Sequence, residues 1–481
     1  MFANNRFAAP LHVLAILVVG LATVLPSYYI TDMAAFRPTR ALGPLVWSHT
    51  ETVVPSDTSV EPVVAEASSS NETAPTRVAS KSPDGDPPDN ASEEKTAAAA
   101  VVATVPATKK SGAAHLSGEE HLAGFFQALK ERTQGPVRVL HYGDSTLAGD
   151  GIAKTVRKRL QTNFGDGGPG FFVAGMDPRW MRRDDVRVNR TGDWNIKTIL
   201  FGGNNGRYGL GGVVAKPRGK NQILISPPKP NLVMGEHLEL YAQKSQRDET
   251  PVFEVNGQKI ESLKKIEHKA FDQWVYDSTD PISRVKITIT EPNLEVYGAV
   301  LEAARGITWE TTAVVGIASG SVRQFDPAHL AEQTAARNPD LIVVMLGGNE
   351  TSHGGLLTPE GRVYKEGFLT ALKILRQGAP KAACLVMSPL DQGVLNDDGL
   401  VRSRPLIERM VTYQRQVSLE NGCAFWNTWQ FMGGRDSFAR WLSQGLAWTD
   451  LNHLTEKGLT RIGNAFSEAL LQSYQRFEAA H

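Results

Sequence analysis

The stretch VRVLHYGDSTLAGDG, residues 137–151, places a Gly-Asp-Ser turn directly after an apolar run. The run Val137–Tyr142 has the length and composition of a strand that is buried on both faces. Apolar residues with helical spacing follow the turn from Ile152 onwards, which predicts a strand–turn–helix unit. Within this unit Ser145 is either a helix N-cap, a position that Ser favours, or a nucleophile. The rest of the chain is needed to choose between these two roles.

Apolar strands alternate with helical segments in the C-terminal part of the chain. The predicted strands are Thr312–Ile317, Leu341–Leu346, Ala383–Met387 and Cys423–Asn427, and the predicted helices lie near His329–Arg337, Tyr364–Arg376, Pro405–Glu420 and from Glu456 onwards. This alternation predicts a parallel sheet covered by helices on both faces, which is an α/β fold. Because such sheets bind ligands at the carboxyl ends of their strands, functional residues are expected there. Upstream, Ser117 and Glu120 in SGEE match a capping box and predict a helix start.

Four short groups follow predicted strands or precede the last helix. They are Gly143-Asp144-Ser145, Gly316 to Gly320 (GIASG), Gly347 to Glu350 (GGNE) and Asp450 to His453 (DLNH). Each group is common by chance, but together they supply a hydroxyl, a glycine backbone, an amide and a carboxylate–imidazole pair. This set favours the nucleophile over the cap.

The four groups match the requirements of acyl transfer. The hydroxyl of Ser145 needs a base, and His453 can supply one because imidazole changes charge near neutral pH. Asp450, three residues earlier, can orient the imidazole and stabilise its charged form. The backbone N–H groups of Ser145 and Gly320 and the amide of Asn349 can donate to the oxyanion.

Two alternatives to these assignments remain open. Gly316 competes with Gly320 as the backbone donor, since both lie in the same glycine-containing group. His353 is a second candidate for the base, with Glu350 three residues before it. The aromatic residues near the last strand and the Asp-His group are expected in the core, with room for one of them to stack on a sugar: Trp426, Trp429, Phe431 and Trp448.

A β-rich segment interrupts the α/β pattern. Residues 182–302 contain short strand-like runs without helical spacing, among them HLELYAQ (His237–Gln243), VFEVNGQKI (Val252–Ile260), RVKITIT (Arg284–Thr290) and EVYGAVLE (Glu295–Glu302). Asn256-Gly257 is a typical hairpin turn. The segment is therefore predicted to be an inserted β-sandwich of ordinary domain size, between the two α/β parts at 116–181 and 303–481.

The N-terminal region is predicted to lie outside the folded part. Val13–Leu25 is an apolar run within residues 1–35, and it favours an uncleaved membrane anchor over a cleaved signal peptide. Residues 36–115, rich in Ala, Pro, Ser and Thr, are predicted to be a disordered linker. An anchor and a signal peptide would both direct the export of the rest of the chain, so we expect an extracytoplasmic protein, tethered to the inner membrane by the N-terminal helix.

The composition excludes several classes of partner. Lys and Arg together number 51, as do Asp and Glu, so the net charge of zero leaves no electrostatic footprint for nucleic acid. No metal-ligand spacing and no phosphate-binding Gly-Lys-Ser/Thr motif occurs, so no metal and no cofactor is expected. Cys384 and Cys423 lie in short apolar runs, and we expect two buried thiols rather than a bridge.

The four groups resemble the sequence blocks of the SGNH (GDSL) hydrolase family. The segments HYGDSTLAGD, FGDGGPGF, GGNE, WNTWQFMGG and DLNHLTEKG are most similar to the exported peptidoglycan O-acetylesterase branch, with its insertion similar to a carbohydrate-binding module. The resemblance implies a flavodoxin-like, three-layer α/β/α fold with strand order 2-1-3-4-5. It implies a triad of Ser145, Asp450 and His453, with oxyanion donors at Ser145, Gly320 and Asn349. The chain has Ser319-Gly320 where the family often has Asn-Gly.

Three functions are compatible with these expectations. The leading one is a serine esterase that removes O-acetyl groups from peptidoglycan or another extracytoplasmic polysaccharide through an acyl-enzyme on Ser145. A polysaccharide O-acetyltransferase would use the same triad with a sugar hydroxyl as acceptor. The third is a glycan-binding protein in which the β insertion binds and the hydrolase part is a scaffold. In all three the partner is a glycan, and the sequence leaves the oligomeric state open.

Overall fold

The computed structural model describes residues 116–133, 135–174, 181–201, 203–230, 232–247, 249–351 and 353–481. The anchor predicted within residues 1–35 and the linker predicted at 36–115 lie outside these residues. No helix in the described ranges has the length and apolar character needed to cross a bilayer.

Strands and helices are numbered in chain order. The strands are β1 Leu116–Ser117, β2 Val137–Gly143, β3 Gly170–Phe172, β4 Arg187–Thr191, β5 Trp194–Thr198, β6 Val213–Pro217, β7 Asn221–Ser226, β8 His237–Gln243, β9 Val252–Val255, β10 Gln258–Lys259, β11 Lys264–Glu267, β12 Phe271–Asp277, β13 Val285–Ile289, β14 Val296–Glu302, β15 Ile307–Ala313, β16 Leu341–Met345, β17 Ala383–Met387, β18 Gly393–Leu395, β19 Val401–Ser403 and β20 Ala424–Trp426. The α-helices are α1 Ala123–Glu131, α2 Ser145–Ala148, α3 Gly151–Phe164, α4 Pro327–Arg337, α5 Arg362–Arg376, α6 Ile407–Glu420, α7 Thr428–Met432, α8 Ser437–Ser443 and α9 Glu456–Ala480. Short 3₁₀ helices span Glu119–Leu122, Ile199–Phe201, Ser319–Gln324, Gly354–Leu357 and Pro359–Gly361.

The central sheet has the order β15-β2-β16-β17-β20, with β1 added at the edge. The first five strands are parallel and β1 is antiparallel to β20. Numbered among themselves, the parallel strands run 2-1-3-4-5, which confirms the predicted order. Alternate residues of these strands enter two different cores. One core includes α3 and α9, and the other includes α4, α5 and α6, so the sheet is the middle of three layers.

Two local predictions for this sheet are wrong. Ser117 is not an N-cap, because it pairs with Phe425 in the edge strand, and the helical turn starts only after Gly118, which has a φ of 68°. The second parallel strand is Ile307–Ala313 rather than Thr312–Ile317. The Thr and Glu residues of this strand do not look like a buried apolar run. Glu310 is nevertheless fully buried, because it pairs with Arg337 of α4.

The inserted segment forms two antiparallel sheets that pack face to face. Their orders are β10-β9-β13-β7-β4 and β11-β12-β8-β14-β6-β5, and β3 pairs with β14. A separate apolar core lies between them, with Trp274 and Phe253 among its largest side chains. The Asn256-Gly257 turn joins β9 to β10, and both residues have the positive φ that such a turn requires.

The two cysteines form a disulfide, contrary to the expectation of two separate thiols. Cys384 lies in β17, and Cys423 directly precedes β20. Since Leu385 pairs with Ala424 across these parallel strands, the two cysteines are also direct neighbours, and their Cα atoms are 4.5 Å apart. The spacing of 39 residues in sequence gave no sign of this register.

Candidate active site

The nucleophile candidate lies where β2 ends and α2 begins. Asp144 is the N-cap, with its Oδ1 accepting the backbone N–H of Thr146 at 2.9 Å. Ser145 is the first residue of the helix and not its cap, which corrects the capping role considered from the sequence. Its hydroxyl is therefore not used by the helix, and Oγ lies 3.0 Å from Nε2 of His453.

The imidazole of His453 is held by the carboxylate three residues earlier. Asp450 Oδ2 lies 2.7 Å from Nδ1 of His453, while Oδ1 accepts the backbone N–H groups of Asn452 and His453 at 2.9 Å each. With the Nδ1 proton directed at the carboxylate, Nε2 is left as an acceptor for the Ser145 hydroxyl. Leu451 between them has a φ of 58°, a strained value for a bulky residue.

Asp450 is kept in its charged form. Burial alone would raise the pKa of its carboxyl, but the hydrogen bonds from His453 and Asn452 outweigh burial, and the pKa lies below its usual value. A carboxylate that stays ionised can stabilise an imidazolium beside it. The sequence-predicted residues Ser145, His453 and Asp450 are thus brought into one hydrogen-bonded chain.

The loop after β16 contacts the loops that follow β2 and β15. Gly348 leaves no room for a side chain, because a Cβ there would lie 2.9 Å from Asp144 Oδ2. Asn349 donates one amide hydrogen to the carbonyl of Ile317 at 2.9 Å. Because the amide carries two hydrogens, the second remains for a ligand.

The backbone donors predicted for an oxyanion are the first N–H groups of short helices. Ser145 opens α2 and Gly320 is the second residue of the 3₁₀ helix Ser319–Gln324, so neither N–H has an acceptor within its helix. Apart from its chain neighbours and the backbone of its own helix, no heavy atom of the described residues lies within 4 Å of a Cβ built on Gly320, so that side of the glycine is open. Gly316 has a φ of 87° and belongs to the turn closed by Ile317 N–H on Val314, so its glycine is explained by backbone conformation.

A buried contact links the loop after β15 to the loop after β16. Glu350 accepts the backbone N–H of Ser319 at 3.0 Å and its hydroxyl at 2.5 Å. Sequence reasoning missed this pair, since residues 31 apart in different loops share no spacing signal. The one available sign was an acidic residue directly after the Asn of GGNE.

His353, the alternative base, is used elsewhere. Its Nδ1 accepts the N–H of Gly355 at 3.0 Å and so caps the 3₁₀ helix Gly354–Leu357. The hydrogen bond from the Ser145 hydroxyl goes to His453, not to His353.

One aromatic residue near the site is exposed. Trp426 and Trp429 are buried and Phe431 is half-buried, as core packing predicts. Trp448 is 58% exposed, and its backbone N–H donates to the carbonyl of His453 at 2.9 Å. An apolar ring therefore faces solvent on the same turn as the imidazole. Within the described residues, no group of three or more His, Cys, Asp or Glu side chains could hold a metal ion.

The model of the GDSL-like Lipase/Acylhydrolase family matches residues 290–461. This part of the chain is therefore similar to the GDSL-like acylhydrolases. The SGNH assignment is confirmed, and with it the assignment of the chain as an esterase-type hydrolase. No curated protein matches the chain.

Several solved structures are similar to this chain, and the first described below shares its fold. A peptidoglycan O-acetylesterase is 22% identical, with a TM-score of 0.63 over 74% of this chain and 96% of the other. An acetylxylan esterase from Geobacillus stearothermophilus is 18% identical, with a TM-score of 0.23 over 36% of this chain and 73% of the other. A family two carbohydrate esterase from Clostridium thermocellum is 9% identical, with a TM-score of 0.27 over 60% and 98%.

Proposed function

We propose that this protein is a serine esterase that removes O-acetyl groups from an extracytoplasmic polysaccharide, with peptidoglycan as the first candidate. The observation that carries the proposal is the hydrogen-bonded chain from Ser145 through His453 to Asp450, with distances of 3.0 and 2.7 Å. A helix cap or a glycan-binding scaffold has no need of this arrangement.

The chemistry follows from the contacts. Nε2 of His453 takes the hydroxyl proton as Ser145 Oγ attacks the acetyl carbonyl, and Asp450 stabilises the resulting imidazolium. The N–H groups of Ser145 and Gly320 and the free amide hydrogen of Asn349 donate to the oxyanion. The imidazolium then gives its proton to the sugar oxygen as that oxygen leaves. Water, deprotonated by His453, releases acetate from the acyl-enzyme and restores the serine.

An O-acetylated glycan is supported as the substrate by two features. The protein with a TM-score of 0.63 is a peptidoglycan O-acetylesterase, and the likeness covers 96% of that chain. In addition, Trp448 exposes its ring on the turn of the catalytic imidazole, where it can stack on the apolar face of a sugar.

Water is favoured over a sugar hydroxyl as the acyl acceptor. The side chains of His453 and Asp450 are 39% and 47% exposed, so solvent reaches the base from outside. A transferase has to keep water away from its acyl-enzyme. The openness of this site therefore supports hydrolysis.

The proposed location is outside the cytoplasm. The disulfide between Cys384 and Cys423 supports it, because such bonds persist in oxidising compartments and are rare in the cytosol. The apolar run Val13–Leu25 is the export signal or anchor in this proposal.

The test compares the full chain with Ser145→Ala. We expect turnover of p-nitrophenyl acetate to fall by several orders of magnitude, as for other triad nucleophiles. An acetylated Ser145 peptide should be found by mass spectrometry after rapid acid quench of the native protein. Acetate release is then measured from O-acetylated peptidoglycan and from O-acetylated xylan, each with and without a sugar acceptor. Equal turnover by the two proteins would refute the triad, and product formed only with an acceptor would refute hydrolysis.

A further inference from the structure

The loop that carries Gly320 is tied to the loop after β16 by three hydrogen bonds. Asn349 donates to the carbonyl of Ile317, and Glu350 accepts both the N–H and the hydroxyl of Ser319. Ser319 directly precedes Gly320. The peptide plane that presents the Gly320 N–H includes the carbonyl of Ser319, so fixing Ser319 fixes the direction of this donor.

The cost of this contact indicates that it has a purpose beyond folding. Glu350 is 5% exposed and Ser319 is 3% exposed. Burial raises the pKa of the Glu350 carboxyl, and the hydrogen bonds from Ser319 offset only part of this rise. In the described part of the chain no Lys or Arg forms an ion pair with Glu350, so its buried carboxyl group is devoted to Ser319. A buried carboxyl without a cationic partner is costly, and an apolar residue would pack there more stably.

We propose that Glu350 is a positioning residue, which through Ser319 aims the Gly320 N–H at the oxyanion. This inference rests on the proposed function, since the donor matters only if Ser145 forms a tetrahedral intermediate. Oxyanion donors act through preorganisation, and a shift of a few tenths of an ångström weakens them. Both acylation and deacylation pass through such an intermediate, so the effect appears in kcat whichever step limits the rate.

The central experiment is Glu350→Gln in the full chain. Glutamine keeps the size of the side chain but exchanges one acceptor oxygen for an amide nitrogen, so Ser319 loses one of its two hydrogen bonds. Complete loss of one oxyanion donor lowers kcat by about a hundred- to a thousandfold. For a displaced donor we expect a fall of roughly ten- to a hundredfold, with KM unchanged. Glu350→Asp, which keeps the carboxylate, should recover part of the rate.

The chain contains a matched control. Glu291, 4% exposed and located after β13 in the inserted domain, accepts the Ser245 hydroxyl at 2.5 Å and the Gln246 N–H at 2.9 Å. Glu291→Gln makes the same chemical change in a similar pair, and we expect it to leave kcat and KM as in the native protein. A kcat for Glu350→Gln equal to that of Glu291→Gln would overturn the proposal.

Two further variants keep the outcome decisive. Ser319→Ala removes the hydroxyl donor and leaves the backbone N–H in place, so it should lower kcat even if Glu350→Gln folds poorly. Combined with Glu350→Gln, it should add little, because both changes break one unit; additive losses would contradict the positioning role. Ser145→Ala separates the two hypotheses. If Ser145→Ala keeps its activity, the proposed function is refuted. If Ser145→Ala loses its activity while Glu350→Gln keeps the kcat of the native protein, only the role of Glu350 is refuted.

Discussion

Replacing the cysteines one at a time and together distinguishes a disulfide from two packed thiols. The bond closes a loop between positions 39 residues apart. In the chain-entropy description, closing a loop of that length lowers the entropy of the unfolded chain and stabilises the folded protein by about 4 kcal/mol at 25 °C. If the bond is present, Cys384→Ala and Cys423→Ala each break it and remove the whole of this stabilisation. Each single variant should then lose about 4 kcal/mol of unfolding free energy, and the double variant only slightly more.

Two unbonded thiols give a different pattern. Each alanine would then remove one small buried group, which costs about 1 kcal/mol, and the double variant would lose the sum of the two. The assay is urea-induced unfolding of all four proteins, followed by circular dichroism without reductant. Because the chain has two cysteines, a thiol titration of the unfolded native protein should find none before reduction and two after it. Two reactive thiols before reduction, together with additive single losses, would refute the bond and remove its support for an extracytoplasmic location.

Three further predictions concern the site and the inserted domain. Trp448→Ala should raise KM for O-acetylated polymer about tenfold, the effect of roughly 1–1.5 kcal/mol of stacking, without changing p-nitrophenyl acetate turnover, whereas Phe201→Ala, at an aromatic 88% exposed in the insertion, should change neither. Asp450→Asn should lower kcat by about four orders of magnitude, because the imidazole loses its orientation and its counter-charge; retention of a tenth of the activity in that steady-state assay would argue against a triad. Burial lowers the pKa of His237, but Glu239 and then Asp277 outweigh it and raise the pKa to about 9. The pKa of His237 is raised on folding, so its stabilisation is complete below about pH 6.5 and is lost as the pH rises through about 9, up to about 3 kcal/mol; urea unfolding of His237→Gln should show a flatter decline over that range.

The proximity of the candidate catalytic residues was predictable, because a parallel sheet brings residues from distant parts of the chain to one of its edges. Once strands alternate with helices, the residues after each strand share one edge of the sheet, so Ser145 and Asn349 had to lie near each other. The disulfide was not predictable in the same way. Its two strands were expected to be neighbours, but only the register, which depends on packing, places Cys384 beside Cys423. The prediction of Ser117 as an N-cap was wrong for a related reason. Ser117 pairs with Phe425, a strand partner 308 residues away, which the local capping pattern does not reveal.

The inserted domain also supports the loop that carries the proposed oxyanion donor. Ile199, Tyr208 and Leu210 of the insertion enter the same core as the apolar residues of 314–325 that flank Gly320. Gly206 accepts the N–H of Asp326 at 2.9 Å, and the ring of Tyr208 packs edge-on against Phe325. The Gly320 loop is thus held by Glu350 on one side and by the insertion on the other. A glycan-binding module attached to an inert scaffold would not require this second support, whereas an esterase whose insertion helps to build the catalytic site does.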